Sequence, residues 1–247
     1  MKITGSVALV TGANRGIGRA FVEELLKRGA SKIYVAARDP ASLSDLLKSQ
    51  DPRLAPLALD VANEAQVQSA AEAASDVTLL INNAGVAGFH GAISAPDLTT
   101  ARREMEVNYF APLSLVRAFA PRLAASGGGA IVNLLSFLAL VTLPRAGTYS
   151  ASKAAALAMT RSARAELAAQ GTKVIAVMPV QVDTDMGRDL AEPRLTPQEV
   201  VSEALDAVES GLEEVFPGEL TRRSADAFAK DPKGVQAYMS KMIPEHA

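Results

Sequence analysis

The sequence contains no cysteine, and only two of its 247 residues are histidines. Without cysteine, disulfide bonds, thiolate nucleophiles and thiolate-ligated metals are excluded. Because His90 and His246 are the only histidines, a histidine-based metal site and a Ser-His-Asp triad are disfavoured as well. We therefore expect no metal, and chemistry that depends on other side chains.

The chain also lacks a large excess of charge of one sign and long apolar runs. The net charge is −2 and the pI is about 5.8, which gives no electrostatic case for nucleic acid or an anionic membrane. No apolar run reaches transmembrane length, and the N-terminus lacks the apolar segment and cleavage site of a secretory signal. With 49% hydrophobic and 21% charged residues, we expect a cytoplasmic protein with an ample core.

Short apolar runs alternate with helical patterns along the whole chain. Strands are predicted near residues 7–10, 32–37, 54–59, 77–81, 130–135, 172–178 and 213–216, and helices near 19–28, 42–49, 64–75, 99–123, 149–170 and 198–211. Pro112 indicates either a join or a kink. This alternation predicts one α/β domain over residues 1–247: a Rossmann-type, doubly wound parallel sheet of six to seven strands with helices on both faces.

A glycine-rich turn joins the first strand to the first helix. Gly12, Gly16 and Gly18 follow the pattern Gly-x-x-x-Gly-x-Gly. Glycines let the backbone turn tightly and approach a pyrophosphate, while the helix N-terminus supplies N–H donors for phosphate. Although such a turn can be purely structural, its strand–turn–helix context favours nucleotide binding.

The charges of the residues near the second strand indicate which nucleotide binds. NAD sites usually carry an acidic residue there, whereas this chain has Arg38, with Arg15 inside the glycine turn. Two guanidinium groups suit a 2′-phosphate, so the sequence favours NADP(H) over NAD(H). The alternative is that both are solvated surface arginines, with Asp39 offsetting the charge of Arg38.

Tyr149 and Lys153 are four residues apart at the start of a predicted helix. This spacing places both side chains on one helix face, where an ammonium group lowers the pKa of a phenol and suits it to acid–base work. Ser136 closes the preceding strand and is a candidate hydrogen-bond donor to a substrate oxygen. On its own the Tyr-x-x-x-Lys pattern also occurs by chance.

Together these motifs resemble the short-chain dehydrogenase/reductase family in its compact form. The resemblance covers about residues 5–186, through TGANRGIG (11–18), LDV (59–61), NNAG (82–85), Asn108, Ser136 and YSASK (149–153). It implies that Tyr149 is the acid–base, Ser136 polarises the substrate oxygen and Lys153 binds the nicotinamide ribose. It also implies that Asn108 holds a relay water.

The implied cofactor contacts follow the same motifs. Besides Tyr149 and Lys153 they comprise Gly12, Asn14, Arg15, Gly16, Ile17, Gly18, Arg38, Asp60, Val61, Asn82, Ala84, Gly85, Pro179, Val182 and Thr184. The family usually has glycine after Pro179, where this chain has Val180, which puts the loop shape in doubt. The tail at about 217–247 departs too. The helices near 99–124 and 149–170 correspond to the usual dimer surface of the family, so the resemblance implies a homodimer, and a homotetramer stays open.

The residues expected to face the substrate are mostly apolar, and they comprise residues 86–90, 137–144 and 180–182 together with Met186. We expect a short, open substrate loop at about 185–197. Gln181 is expected either to bond a substrate or to fix the backbone, and His90 to be a loop residue.

The expected function is NADP(H)-dependent interconversion of a neutral, hydrophobic ketone or aldehyde and its alcohol, of the carbonyl reductase or alcohol dehydrogenase type. The alternatives are an NAD-linked alcohol dehydrogenase of the same family and a non-catalytic nucleotide sensor. The small-molecule substrate itself stays open.

Overall fold

Seven strands form one parallel sheet in the computed structural model, which describes residues 1–243. The strands are β1 (Val7–Thr11), β2 (Lys32–Ala37), β3 (Leu54–Ala58), β4 (Leu79–Asn82), β5 (Gly129–Leu134), β6 (Thr172–Val177) and β7 (Glu214–Val215). Their order across the sheet is β3-β2-β1-β4-β5-β6-β7. The prediction of a doubly wound parallel sheet is confirmed, with the seventh strand only two residues long.

Nine α-helices lie in the described part of the chain. They are α1 (Gly16–Lys27), α2 (Ser44–Leu47), α3 (Glu64–Ala73), α4 (Thr99–Met105), α5 (Ala111–Ala125), α6 (Gly147–Leu167), α7 (Pro197–Ser210), α8 (Gly218–Lys230) and α9 (Pro232–Met239). No helix within residues 1–243 has both the length and the apolarity that crossing a bilayer requires.

The central strands are buried on both faces, which explains why their sequences are continuously apolar rather than alternating. Successive residues of β1 enter different cores, because neighbouring side chains of a strand point to opposite faces. Val10 packs in the core that includes α1 and α7, whereas Leu9 packs in the core that includes α3, α5 and α6. Phe21 and Phe119 are fully buried, one on each side.

The strand order reverses between β1 and β4. From β1 the chain winds outwards to β2 and β3, then returns to β4 on the other side and continues to β7. At such a reversal the connections diverge and leave a crevice beyond the carboxyl ends of the strands. The glycine turn and the Asn-Asn-Ala-Gly segment border this crevice.

A π-helical turn, Glu106–Phe110, interrupts the helical pattern predicted over 99–123. Pro112 lies in the first turn of α5, directly after this π-helical turn, and it has no N–H to donate to the preceding turn. The join between two helices that was predicted near Pro112 therefore begins earlier, at Glu106. Such turns are frequent at functional sites, and this one carries Asn108.

The divergent tail forms two helices, α8 and α9, that the sequence analysis did not assign. Asp231 marks the start of α9, because its side chain accepts a hydrogen bond from Gly234 N and Pro232 takes the first helical position. The Asp-Pro pair is a recognised start signal that could have revealed this helix. The last residues of the tail, 244–247, include His246 and lie outside the described residues.

Candidate functional site

The glycine turn between β1 and α1 is closely packed. Gly12 and Gly16 adopt φ values of +65° and +52°, which side chains rarely allow. At Gly18 a Cβ would overlap the carbonyl oxygen of Gly12. Within the described structure no side chain caps the start of α1, because the preceding residue is Arg15 and a guanidinium has no acceptor for the helix N–H groups. The first N–H groups of α1 therefore face the crevice, and this arrangement fits a phosphate group.

Thr11 and Asn83 fasten the glycine turn to the loop after β4, and sequence reasoning assigned a role to neither residue. Asn83 Nδ2 donates to Thr11 O at 2.8 Å and to Gly12 O at 3.3 Å. Thr11 Oγ1 accepts hydrogen bonds from the backbone N–H groups of Asn83 and Ala84 at 3.0 and 3.1 Å. Thr11 belongs to the motif TGANRGIG and Asn83 to the motif NNAG, so the motifs themselves could have pointed to both residues.

The side chain of Asn82 turns away from the crevice. Its Nδ2 donates to Asn133 Oδ1 at 2.8 Å, and Asn133 in turn donates to Thr160 Oγ1 at 2.9 Å. This buried amide network joins β4, β5 and α6. The cofactor contact expected of Asn82 is therefore limited to its backbone, and it stays a prediction.

The two arginines expected at a 2′-phosphate have different surroundings. Arg15 Nη1 lies 3.0 Å from Asp185 Oδ2, in an exposed ion pair that links the glycine turn to the loop after β6. Arg38 is exposed after β2, and it forms no ion pair within residues 1–243. Asp39 Oδ1 accepts from Ala41 N at 3.0 Å and begins a short 3-10 turn, so Asp39 is not paired with Arg38.

Asp60 and Val61 lie directly after β3. Asp60 Oδ1 accepts from Ala62 N at 3.1 Å and shapes the turn into α3. Val61 is half-buried and packs against the core that contains α3 and α5. Both residues border the crevice where the adenine contact was predicted.

Tyr149 and Lys153 lie on successive turns of α6, and Ser136 lies just beyond β5. Lys153 is 5% exposed, and its Nζ donates to Leu134 O at 2.9 Å. The same Nζ is 5.7 Å from the centroid of the Tyr149 ring. Ser136 Oγ accepts from Leu138 N at 3.2 Å, which fixes its rotamer at the start of a 3-10 turn.

Asn108 is buried beside these residues. Its side-chain amide pairs with both backbone groups of Val86, through Val86 N to Oδ1 at 3.0 Å and Nδ2 to Val86 O at 2.9 Å. Nδ2 also donates to Ser152 Oγ at 2.9 Å. Asn108 therefore ties the loop after β4 to α6, and the relay water assigned to it stays a prediction.

The pKa values in the site differ from the sequence expectation. Loss of hydration raises the pKa of Tyr149 well above its usual value; the nearby Ser136 hydroxyl opposes this rise and the charge of Glu104 adds to it. Burial also lowers the pKa of Lys153 to about 8. Burial thus outweighs the lowering of the Tyr149 pKa that the Tyr149–Lys153 spacing predicted. Tyr149 therefore remains protonated at neutral pH.

The loop after β6 is fixed to its surroundings. Pro179 O accepts from Phe137 N at 2.9 Å, and Val180 N donates to Thr221 Oγ1 of α8 at 3.3 Å. Val182 forms an isolated bridge with Leu195, and Thr184 packs against Gly16. The helix α8 thus covers the position where glycine was expected.

Gln181 fixes this loop as well. Its Nε2 donates to Ala191 O at 3.3 Å and to Pro193 O at 3.2 Å. Of the two expectations for Gln181, the backbone-fixing one matches these contacts.

Apolar side chains border the approach to Tyr149. Phe89 is 41% exposed, and the centroid of its ring is 6.4 Å from that of Tyr149. Met186 is exposed on the loop after β6. A cleft of about 550 Å³ lies further out, between Phe137 and the tail helices α8 and α9. It is lined by Phe137, Ser224, Ala227, Asp231, Gly234, Val235, Tyr238 and Met239. Among the residues described, Asp231 is the one charged group in this lining.

Comparisons with known proteins agree with this arrangement. Residues 6–195 match the short chain dehydrogenase family. The 1-deoxy-11-beta-hydroxypentalenate dehydrogenase of Streptomyces avermitilis is 35% identical over 86% of this chain and 83% of its own.

Two solved structures are also similar. A short chain dehydrogenase from Burkholderia cenocepacia J2315, in complex with NADP, is 46% identical over 97% of this chain and 99% of its own, with a TM-score of 0.91. One from Burkholderia phymatum, in complex with NAD, is 27% identical over 87% and 89%, with a TM-score of 0.77. Sequence, fold and site geometry agree: the chain belongs to the short chain dehydrogenase family of oxidoreductases.

Proposed function

We propose that this chain is an NADP(H)-dependent oxidoreductase that interconverts a neutral, apolar ketone or aldehyde and its alcohol. The proposal rests on one observation: the Tyr149 phenol, the buried Lys153 amine and the Ser136 hydroxyl lie together just beyond the end of β5. A carbonyl oxygen held by Ser136 would lie within reach of the phenol. The hydride is supplied or accepted by the nicotinamide group when the cofactor is bound.

The residues present fit a dinucleotide. Gly18 lies so close to the Gly12 carbonyl that a Cβ would not fit there. The turn is therefore bare backbone on the side where α1 begins. Gly16, Ile17 and Gly18 would hold the pyrophosphate through their N–H groups, and Lys153 the ribose hydroxyls. Asp60 and Val61 would contact the adenine, while Pro179, Val182 and Thr184 would border the nicotinamide.

In the reducing direction Tyr149 gives its phenolic proton to the substrate oxygen, while Ser136 donates a hydrogen bond to the same oxygen. Because the pKa of Tyr149 is raised, the proton is present at neutral pH and is readily given up only as negative charge develops on that oxygen. The Lys153 ammonium stabilises the phenolate that remains. In the oxidising direction the same groups act in reverse.

Tyr149→Phe tests the acid–base role, because it removes only the hydroxyl. It should bind NADPH as the wild type does and lose turnover by at least about a hundredfold. Tyr34→Phe is the matched control, because Tyr34 Oη lies in a separate cluster with Lys32 and Asp76. Retained turnover in Tyr149→Phe would refute the assignment.

Preference for NADP(H) rests on Arg38, which is exposed, unpaired within the described chain and not neutralised by Asp39. The NADP complex of the Burkholderia cenocepacia relative supports it. Fluorescence titrations with NADPH and NADH test it: Arg38→Asp should weaken NADPH binding at least about tenfold and leave NADH binding largely unchanged. Arg223→Asp, at an exposed position of α8, is the control.

An NAD-linked alcohol dehydrogenase is the second candidate, favoured by the NAD complex of the Burkholderia phymatum relative and by the pairing of Arg15 with Asp185. Equal binding of NADH and NADPH would support it. A non-catalytic nucleotide sensor would show binding without turnover for any carbonyl. The neutral substrate class is supported by the apolar rim at Phe89 and Met186. The homodimer or homotetramer and the cytoplasmic location stay predictions.

A further inference from the structure

Glu104, near the end of α4, is a buried carboxylate. Its charge adds to the rise in the Tyr149 pKa, but its hydrogen bond to the loop after β4 has no part in the mechanism above. Glu104 is 1% exposed, and its Oε1 accepts a hydrogen bond from Gly88 N at 2.8 Å. Its Oε2 has no hydrogen-bond partner among residues 1–243. A carboxylate with so few bonds is costly to bury, and a leucine of similar size would avoid that cost. The structural role of Glu104 therefore lies in the backbone group that its carboxylate binds, the N–H of Gly88.

The carboxylate holds the loop after β4 at a strained point. Gly88 precedes Phe89, which adopts a φ of +52° although it is not glycine. This left-handed conformation is unfavourable for a residue with a Cβ, so neighbouring contacts must maintain it. On one side the loop is fixed by Glu104, and Thr148 Oγ1 lies 3.5 Å from His90 O on the other.

The strained conformation directs the Phe89 side chain towards Tyr149. The two ring centroids are 6.4 Å apart, with a tilt of 37° between the planes. Phe89 is nevertheless 41% exposed, so the residue beside the phenol is accessible from solvent. An aromatic ring in this position is available to stack on a flat group attached to the reacting carbonyl.

We propose that Glu104 is a positioning residue that fixes Phe89 beside Tyr149 and thereby selects substrates whose carbonyl carries a flat aromatic ring. This inference rests on the proposed function and narrows its substrate class to aryl ketones and aryl aldehydes. Aromatic pairs contribute about 0.5–1.5 kcal/mol beyond buried area, which corresponds to a preference of roughly two- to tenfold.

Acetophenone and cyclohexyl methyl ketone form a suitable pair of probes, because they have equal carbon counts and differ in the flatness of the ring. With NADPH, the wild-type KM should be about two- to tenfold lower for acetophenone. Glu104→Leu and Phe89→Ala should each abolish this ratio and leave the Kd for NADPH unchanged. Glu104→Gln keeps an oxygen acceptor for Gly88 N and should restore the ratio.

A second measurement separates this inference from the proposed function. Calorimetric titration of both ketones into the NADPH complex of Tyr149→Phe reports ring selection without turnover. If the wild type reduces neither ketone, the proposed function loses support, while the ratio of the two Kd values still decides the role of Glu104.

Two results would overturn the inference. One is an unchanged ratio in Phe89→Ala, which decides the matter even if Glu104→Leu does not fold. The other is a Glu104→Gln variant that loses the ratio while keeping its NADPH affinity.

Discussion

Thr221→Val tests whether the tail helix α8 supports the loop beside the proposed nicotinamide site. Thr221 is fully buried, and its Oγ1 accepts a hydrogen bond from Val180 N at 3.3 Å. Valine has nearly the same shape but no acceptor, so the Val180 N–H would be left without its partner. The expected loss in the free energy of unfolding is about 1–2 kcal/mol, the cost of an unsatisfied buried donor.

For a chain of this size the melting temperature should fall by about 2–4 °C for each kcal/mol lost. Calorimetry measures that change, and steady-state kinetics should show a raised KM for the carbonyl substrate because Val180 adjoins the reacting region. Thr221→Ser is the control: it keeps the hydroxyl and removes one methyl group, so the KM should be preserved even if stability falls. An unchanged melting temperature and KM in Thr221→Val would refute the coupling.

Three further predictions concern charge and packing. Asp185→Asn should release Arg15 and tighten NADPH binding by up to about fivefold, the strength of an exposed ion pair, without changing NADH binding in fluorescence titrations. Lys153→Met should stabilise the protein near pH 7, where the buried ammonium is a cost. This advantage should shrink by up to about 3 kcal/mol between pH 8 and 10.5 in denaturant titrations, because the folded wild type loses its proton first, at a pKa of about 8. Phe119→Ala should cost about 3–5 kcal/mol in the same titrations, because this fully buried ring fills the core beside α5.

The fold was predictable because its signals are local. Each buried strand is a short apolar run, and the glycine turn marks the junction between β1 and α1, so strand type and site location follow from the sequence. The positions of Ser136, Tyr149 and Lys153 followed from the same signals.

What escaped prediction depends on distant contacts. The direction of the Asn82 side chain is set by Asn133, 51 residues away. The rise in the Tyr149 pKa comes from burial, which no spacing rule reveals. Likewise, the bond from Val180 to Thr221 joins residues 41 apart, so the role of α8 was not visible in either segment alone.

The two tail helices also reach the loop after Ser136. Gln236 of α9 binds both backbone groups of Thr142, accepting from its N at 2.8 Å and donating to its O at 3.0 Å. The match to the family model ends at residue 195, whereas the similarity to the Burkholderia cenocepacia structure extends over 97% of this chain. Reaction chemistry and the outer wall of the cleft are thus encoded in separate stretches of sequence. Exchanging the last thirty or so residues between relatives is consequently a route to new substrate ranges that leaves the proton-transfer residues untouched.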